Sequence, residues 1–121
     1  MVVTPHKING RFYGAFYQLK SGESIYLAHR KKREIYRMKN AWCLDTRTLE
    51  ECIRRGIKYA GVVIRSEGVT QYYVTPIKDF FDSPHSFPHF GDTRQRGLPL
   101  NCFLINPMKT TRHITKAMKI R

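Results

Sequence analysis

The chain has no long hydrophobic run, few acids and only three cysteines among its 121 residues. No apolar stretch nears the roughly 18 residues that a membrane-spanning helix needs. Met1 to Pro5 lacks the basic and then apolar order of a secretory leader. A cytoplasmic protein without a membrane partner is therefore the expectation. Cys43, Cys52 and Cys102 are odd in number, far apart and set among apolar neighbours. That pattern argues against a disulfide framework or a zinc knuckle and for buried, reduced thiols. Helix-turn-helix pairs, zinc-finger spacings and glycine-rich phosphate loops are also missing, so no metal or cofactor is expected.

Acids number nine against 22 lysines and arginines, giving a formal charge of +13 and an isoelectric point near 10.1. Residues 1–40 hold nine basic and two acidic side chains, residues 41–82 six and six, and residues 83–121 seven and one. The net charges of these thirds are thus +7, 0 and +6. A neutral middle between basic flanks fits a scaffold that carries a basic face or basic arms. The densest run is HRKKREIYRMKN, residues 29–40, with six cations around Glu34. At 41% hydrophobic and 12% aromatic residues, the chain is too apolar to remain disordered.

Hydrophobic periodicity supplies the coarse architecture. RFYGAFYQL (11–19) and SIYLAH (24–29) read as two strands of a hairpin about Ser21 and Gly22. Arg33 to Leu44 alternates weakly and is read as strand. Ala41 to Leu44 is a short apolar strand, after which Asp45 or Thr48 can cap a helix, Thr48 and Glu51 having capping-box spacing. Leu49, Cys52 and Ile53 are placed on its inner face, and Gly56 is its stop. IKYAGVVI and VTQYYVTP follow as strands around SEG, and PIKDFFD as one helical turn carrying Ile77, Phe80 and Phe81 onto the sheet. LNCFLIN is read as a last strand, broken by Pro107.

The expected fold is α+β, over a single domain at residues 1–107. A mostly antiparallel sheet of about five or six strands carries the main helix, about 46–55, on one face. A long loop covers 83–99, and a basic tail, helical or disordered, covers 108–121.

Three functional readings follow. The first is non-enzymatic binding of nucleic acid, DNA or RNA, by phosphate contacts or shape, since each cation that neutralises a phosphate releases counterions. Its contacts would be Arg30, Lys31, Lys32, Arg33, Arg37 and Lys39, extended by Arg94 and Arg96, with Lys109, Arg112 and Lys116 of the tail. Tyr13, Tyr17, Tyr26 and Tyr36 would offer stacking planes. The second reading is a nuclease. His85, His89, Asp92, Arg94 and Arg96 include the residue types for metal-free phosphodiester cleavage. The order strand, strand, strand, helix, strand, strand also loosely resembles the restriction-endonuclease core. That resemblance implies an Asp and a Glu-x-Lys holding a metal, and the chain contains no Glu-x-Lys. The third is an accessory or inhibitory protein whose basic surface meets an acidic protein partner.

Overall fold

A computed structural model describes residues 2–8, 10–18, 22–90 and 94–108. The chain opens with a hairpin of β1 (Val2–Ile8) and β2 (Arg11–Gln18), paired antiparallel from Val2↔Gln18 to Ile8↔Arg11. β1 is not among the strands expected from sequence. Its Pro5 cannot donate to a ladder, but β1 is an edge strand, where proline is tolerated. Gly10, at φ +80°, takes the left-handed backbone of the turn between them.

β3 (Ser24–Lys31) pairs antiparallel with β2. After it the chain does not form the expected strand from Arg33. It makes two single 3₁₀ turns, Lys32–Glu34 and Arg37–Lys39, and only then β4 (Ala41–Asp45). Ile35 is drawn into the core between the turns, and Asn40 closes the second in the left-handed region at φ 44°. A regular strand would bring Arg33 and Arg37 to the inner face together with Ile35, whereas the turns admit Ile35 and leave both arginines outside.

α1 (Thr46–Arg54) follows directly. Asp45 is its cap, accepting from the Arg47 backbone N–H at 2.8 Å. Thr48 is buried instead, its Oγ1 3.0 Å from His6 Nε2 on β1. Burial holds the His6 imidazole below its ordinary pKa. The inner face therefore centres on Thr48, Leu49 and Cys52, and Ile53 is turned outward, 59% exposed, rather than inward as the periodicity predicts. At the other end Ile57 N–H reaches Cys52 O and Gly56 N–H reaches Ile53 O, with Gly56 at φ +71°. This is a Schellman stop at the predicted glycine.

β5 (Tyr59–Ser66) returns parallel to β3, and β6 (Val69–Pro76) folds back on β5 through Glu67 and Gly68, both at positive φ. α2 (Asp79–Asp82) buries Phe80 and leaves Phe81 exposed, although both were expected to pack on the sheet. The expected loop 83–99 instead carries β7 (Phe87–Phe90) and β8 (Arg94–Pro99), paired antiparallel. Pro88 sits on β7, another edge strand. The expected strand at LNCFLIN is a 3₁₀ turn, Leu100–Cys102, followed by β9 (Ile105–Met108), whose Pro107 is accepted because β9 is the other edge of the large sheet. Residues 109–121 of the tail lie outside the described residues.

The architecture is α+β. A six-stranded sheet in the order β1-β2-β3-β5-β6-β9 is mixed, with β3 and β5 its parallel pair, and a three-stranded sheet has the order β4-β8-β7. The parallel pair explains the apolar run AGVVI, since such strands are buried on both faces. One face of the large sheet, with Phe16, Tyr26, Ala28 and Val62, packs against Trp42, Leu49, Phe80 and Leu98 from the helices and the small sheet. Ile25, Leu27, Val63 and Val74 form a second cluster on the opposite face. Among the cysteines, all free, Cys52 is buried whereas Cys43 and Cys102 are half-buried. Burial pushes the Cys43 thiol up to about 11 and the Cys52 thiol to about 12.

Candidate nucleic-acid interface

The geometry of residues 30–40 follows from one buried side chain. With Ile35 fixed inside, Lys31, Lys32, Arg33, Arg37 and Lys39 are all exposed. Glu34 stabilises the first turn, its Oε1 accepting from the Lys31 backbone N–H at 2.7 Å. Tyr36 and Ala41 exchange two backbone hydrogen bonds, at 3.0 and 3.1 Å, and so anchor the second turn to β4. The segment is therefore a fixed platform for cations, built from very short turns.

Lys32, Arg33 and Arg37 line a groove of about 680 Å³, whose other wall is Ile64, Gln71 and Tyr73 of the β5–β6 hairpin. Beside it, Lys31 faces Arg65 across the parallel register, and both border a shallower depression at the end of the same hairpin. Arg65, Gln71 and Tyr73 were not singled out from sequence. Arg65 closes the apolar run of β5 just before the turn, but only the pairing of β3 with β5 brings it next to Lys31.

The remaining predicted contacts are distributed differently. Arg30 is half-buried and donates to His29 O at 2.8 Å and Tyr13 O at 3.1 Å. Lys39 lies with the β7–β8 hairpin, its Nζ 4.5 Å from the centre of the Phe87 ring. Arg94 is exposed on β8. Arg96 is drawn into the fold: its Nε donates to Phe80 O at 2.7 Å and its Nη2 to Ser86 Oγ at 3.0 Å. Lys109, Arg112 and Lys116 lie outside the described residues. Of the four candidate stacking tyrosines, Tyr26 is wholly buried and cannot offer a surface plane, Tyr13 and Tyr17 are half-buried, and Tyr36 packs its ring edge-on to His89 at 4.6 Å.

Glu34 and Glu67 lie near the groove cations, Glu67 on the border of the same depression as Lys31 and Arg65, but neither forms an ion pair with them among the described residues. The ion pairs among the described residues, Asp45–Arg47, Glu51–Arg54 and Glu51–Arg55, all belong to α1 and its cap. Arg54 and Arg55 hold the Glu51 carboxyl down to about 2. Burial and then the charges of Arg65 and Arg30 keep His29, on β3, below its ordinary pKa. No family model, curated protein or solved structure matches the chain. The chemistry of the site therefore rests on its own residues.

The residues of the nuclease reading are separated in role. His85 is exposed in the turn before β7, His89 packs on Tyr36, Arg96 is held by Phe80 O and Ser86, and Asp92 lies outside the described residues. Among the described residues no three His, Cys, Asp or Glu side chains group as a metal site.

The contrast between Arg96 and the groove cations is testable. Arg96→Gln removes two charge-assisted hydrogen bonds and is expected to lower stability by about 1–3 kcal/mol in urea denaturation. It should leave the salt dependence of nucleic-acid binding where it was. A lower salt slope with unaltered stability would make Arg96 a phosphate contact instead.

Proposed function

We propose that the protein is a non-enzymatic nucleic-acid-binding protein that grips phosphates through the rim formed by Lys31, Lys32, Arg33, Arg37 and Arg65. The observation that carries this reading is that these five cations surround adjoining depressions and are joined by no ion pair among the described residues. Solvation alone asks only that charges be outside. It does not ask that cations from two distant stretches of sequence border adjoining depressions while the ion-paired carboxylates among the described residues belong to α1 and its cap. The facing wall adds Ile64 and Tyr73, apolar surface against which sugars and bases can lie. Contacts of this kind read backbone and shape, so broad sequence tolerance is expected.

Substituting Lys32, Arg33 and Arg37 together by glutamine tests it. Each phosphate left without its cation lowers the slope of log K against log salt by about 0.9 on duplex and about 0.7 on single strands. The slope of the triple variant is therefore expected to fall by roughly 2 to 3 units while stability is kept, since all three side chains are exposed. An undiminished slope on both kinds of nucleic acid would defeat the proposal. Tight, saturable binding to one acidic protein with no affinity for nucleic acid would favour the accessory-protein reading.

A further inference from the structure

We propose that the basic groove selects a single nucleic-acid strand with unpaired bases over a duplex; this deepens the nucleic-acid reading above and rests on it. The β5–β6 hairpin builds the wall that makes the distinction. Its register sets Ile64 opposite Gln71 and Ser66 opposite Val69. Side chains alternate between the faces of a strand, so Val69, Gln71 and Tyr73 share one face of β6 over about 14 Å. All three line the groove. Farther along, the same face packs into the main core, where Tyr73 lies against the cluster that holds Ile64, Trp42 and Phe103. Towards the hairpin end this cover runs out. Tyr73 and Gln71 are half-buried, and Val69 is 53% exposed.

The two walls differ in chemistry. On one side stand Lys32, Arg33 and Arg37, exposed and without ion pairs among the described residues. The hairpin side lines the groove with apolar surface, a hydroxyl and an amide, and with no charged side chain. Tyr73 packs edge-to-face with Phe103, ring centroids 6.3 Å apart and planes at 88°, so its ring is set in place before any ligand arrives. Its hydroxyl donates to Gln71 Oε1 at 3.3 Å, which leaves the Gln71 amide nitrogen as a donor towards the groove.

That asymmetry picks the occupant. A single strand is anionic along its backbone and presents flat rings and hydrogen-bonding edges on its other side. Its phosphates match the cationic wall while its bases lie on Val69, Gln71 and Tyr73. A duplex keeps its bases stacked inside and carries phosphates on both flanks. Seated in the groove, it would press one row of phosphates against a wall that offers them no cation, at a cost in lost hydration. The volume, about 680 Å³, lies within the roughly 300–1,000 Å³ of sites that enclose organic ligands.

The test measures binding of three probes over a salt series: oligothymidine, a strand of equal length with abasic central positions, and a duplex of that length. Wild-type protein is expected to bind the base-bearing strand roughly 5- to 100-fold more tightly than the abasic one, the range for one ring-to-base contact. Extrapolated to about 1 M salt, where the counterion contribution vanishes, it should also bind that strand more tightly than the duplex. Tyr73→Leu, which keeps apolar bulk beside Phe103, should bring the base-to-abasic ratio close to one without altering the salt slope. Tyr73→Phe keeps the ring and should keep most of the ratio. Circular dichroism checks that both variants fold, and the wild-type comparison decides the matter even where one does not. Oligouridine with its own abasic partner distinguishes RNA from DNA, and a base-dependent preference in either series supports the assignment. Equal affinity for base-bearing and abasic strands in both series, with a steep salt slope, would overturn single-strand selection and spare the cationic rim. Tighter extrapolated binding of the duplex would do the same. Absence of salt-dependent binding to every probe would overturn both.

Discussion

Trp42→Ala is expected to destabilise the protein by about 3–5 kcal/mol, the range for removing a buried aromatic side chain. Trp42 is 3% exposed and stands on β4, opposite Leu98 of β8. Its indole meets Phe80 of α2 edge-on at 5.9 Å and Phe103, just beyond the last 3₁₀ turn, at 6.2 Å. Phe80 and Phe103 also pack on each other at 6.0 Å, and Tyr73 of the large sheet lies 6.3 Å from Phe103. The rings thus join the small sheet, α2 and the large sheet in one cluster. Deleting the indole leaves a void bounded by two other rings, which cannot close without moving β4. A domain of this kind has about 5–15 kcal/mol in total, so the variant should unfold at a urea midpoint lower by roughly 2 M. Circular dichroism is the appropriate probe, because Trp42 is the chain's single tryptophan. Trp42→Phe should recover more than half of the loss. A loss under about 1 kcal/mol would mean that the two sheets do not depend on this cluster.

The second large effect is expected from the smallest change, Gly14→Ala. An added Cβ would lie 2.5 Å from the Tyr26 hydroxyl and 2.7 Å from Leu27 O. The first neighbour is the tip of a wholly buried ring, and the second is backbone of the adjacent strand, so neither can yield cheaply. A loss of about 3 kcal/mol follows from overpacking. Gly10 is the informative control, since nothing lies within 4 Å of its added Cβ but its φ is +80°. Gly10→Ala meets only the left-handed backbone penalty, about 1–2 kcal/mol. Combining Gly14→Ala with Tyr26→Phe removes the nearest contact, and the two effects should be less than additive. Strict additivity in thermal unfolding would mean that Tyr26 already moves aside.

Local signals proved legible where the chemistry is local. α1 follows from Asp45 at one end and Gly56 at the other, and the β5–β6 turn from Glu67 and Gly68, because caps and turns are set by residues a few positions apart. β1 was missed although Asn9–Gly10, lying between the paired Ile8 and Arg11, is the strongest short hairpin signal a sequence offers. Pro5 stands on that strand, as Pro88 and Pro107 stand on β7 and β9. Proline excludes a residue only from interior strands, and which strands are edges is a property of the completed sheet. Ile53 faces outward while Thr48 is buried against His6, a contact 42 positions apart with no counterpart in helical periodicity.

The sequence by itself determined the α+β class, the main helix with its two ends, and the separation of charge into basic flanks around a neutral middle. Only the tertiary structure decided which cations stand together. It brought Arg65 from the neutral middle to Lys31 through the parallel β3–β5 pairing, and it took Arg96 and Arg30 into backbone contacts. The physical reason is range. Propensity and capping act over a few residues, whereas the surface potential depends on strand order and on which guanidinium groups the interior needs for its own unpaired carbonyls.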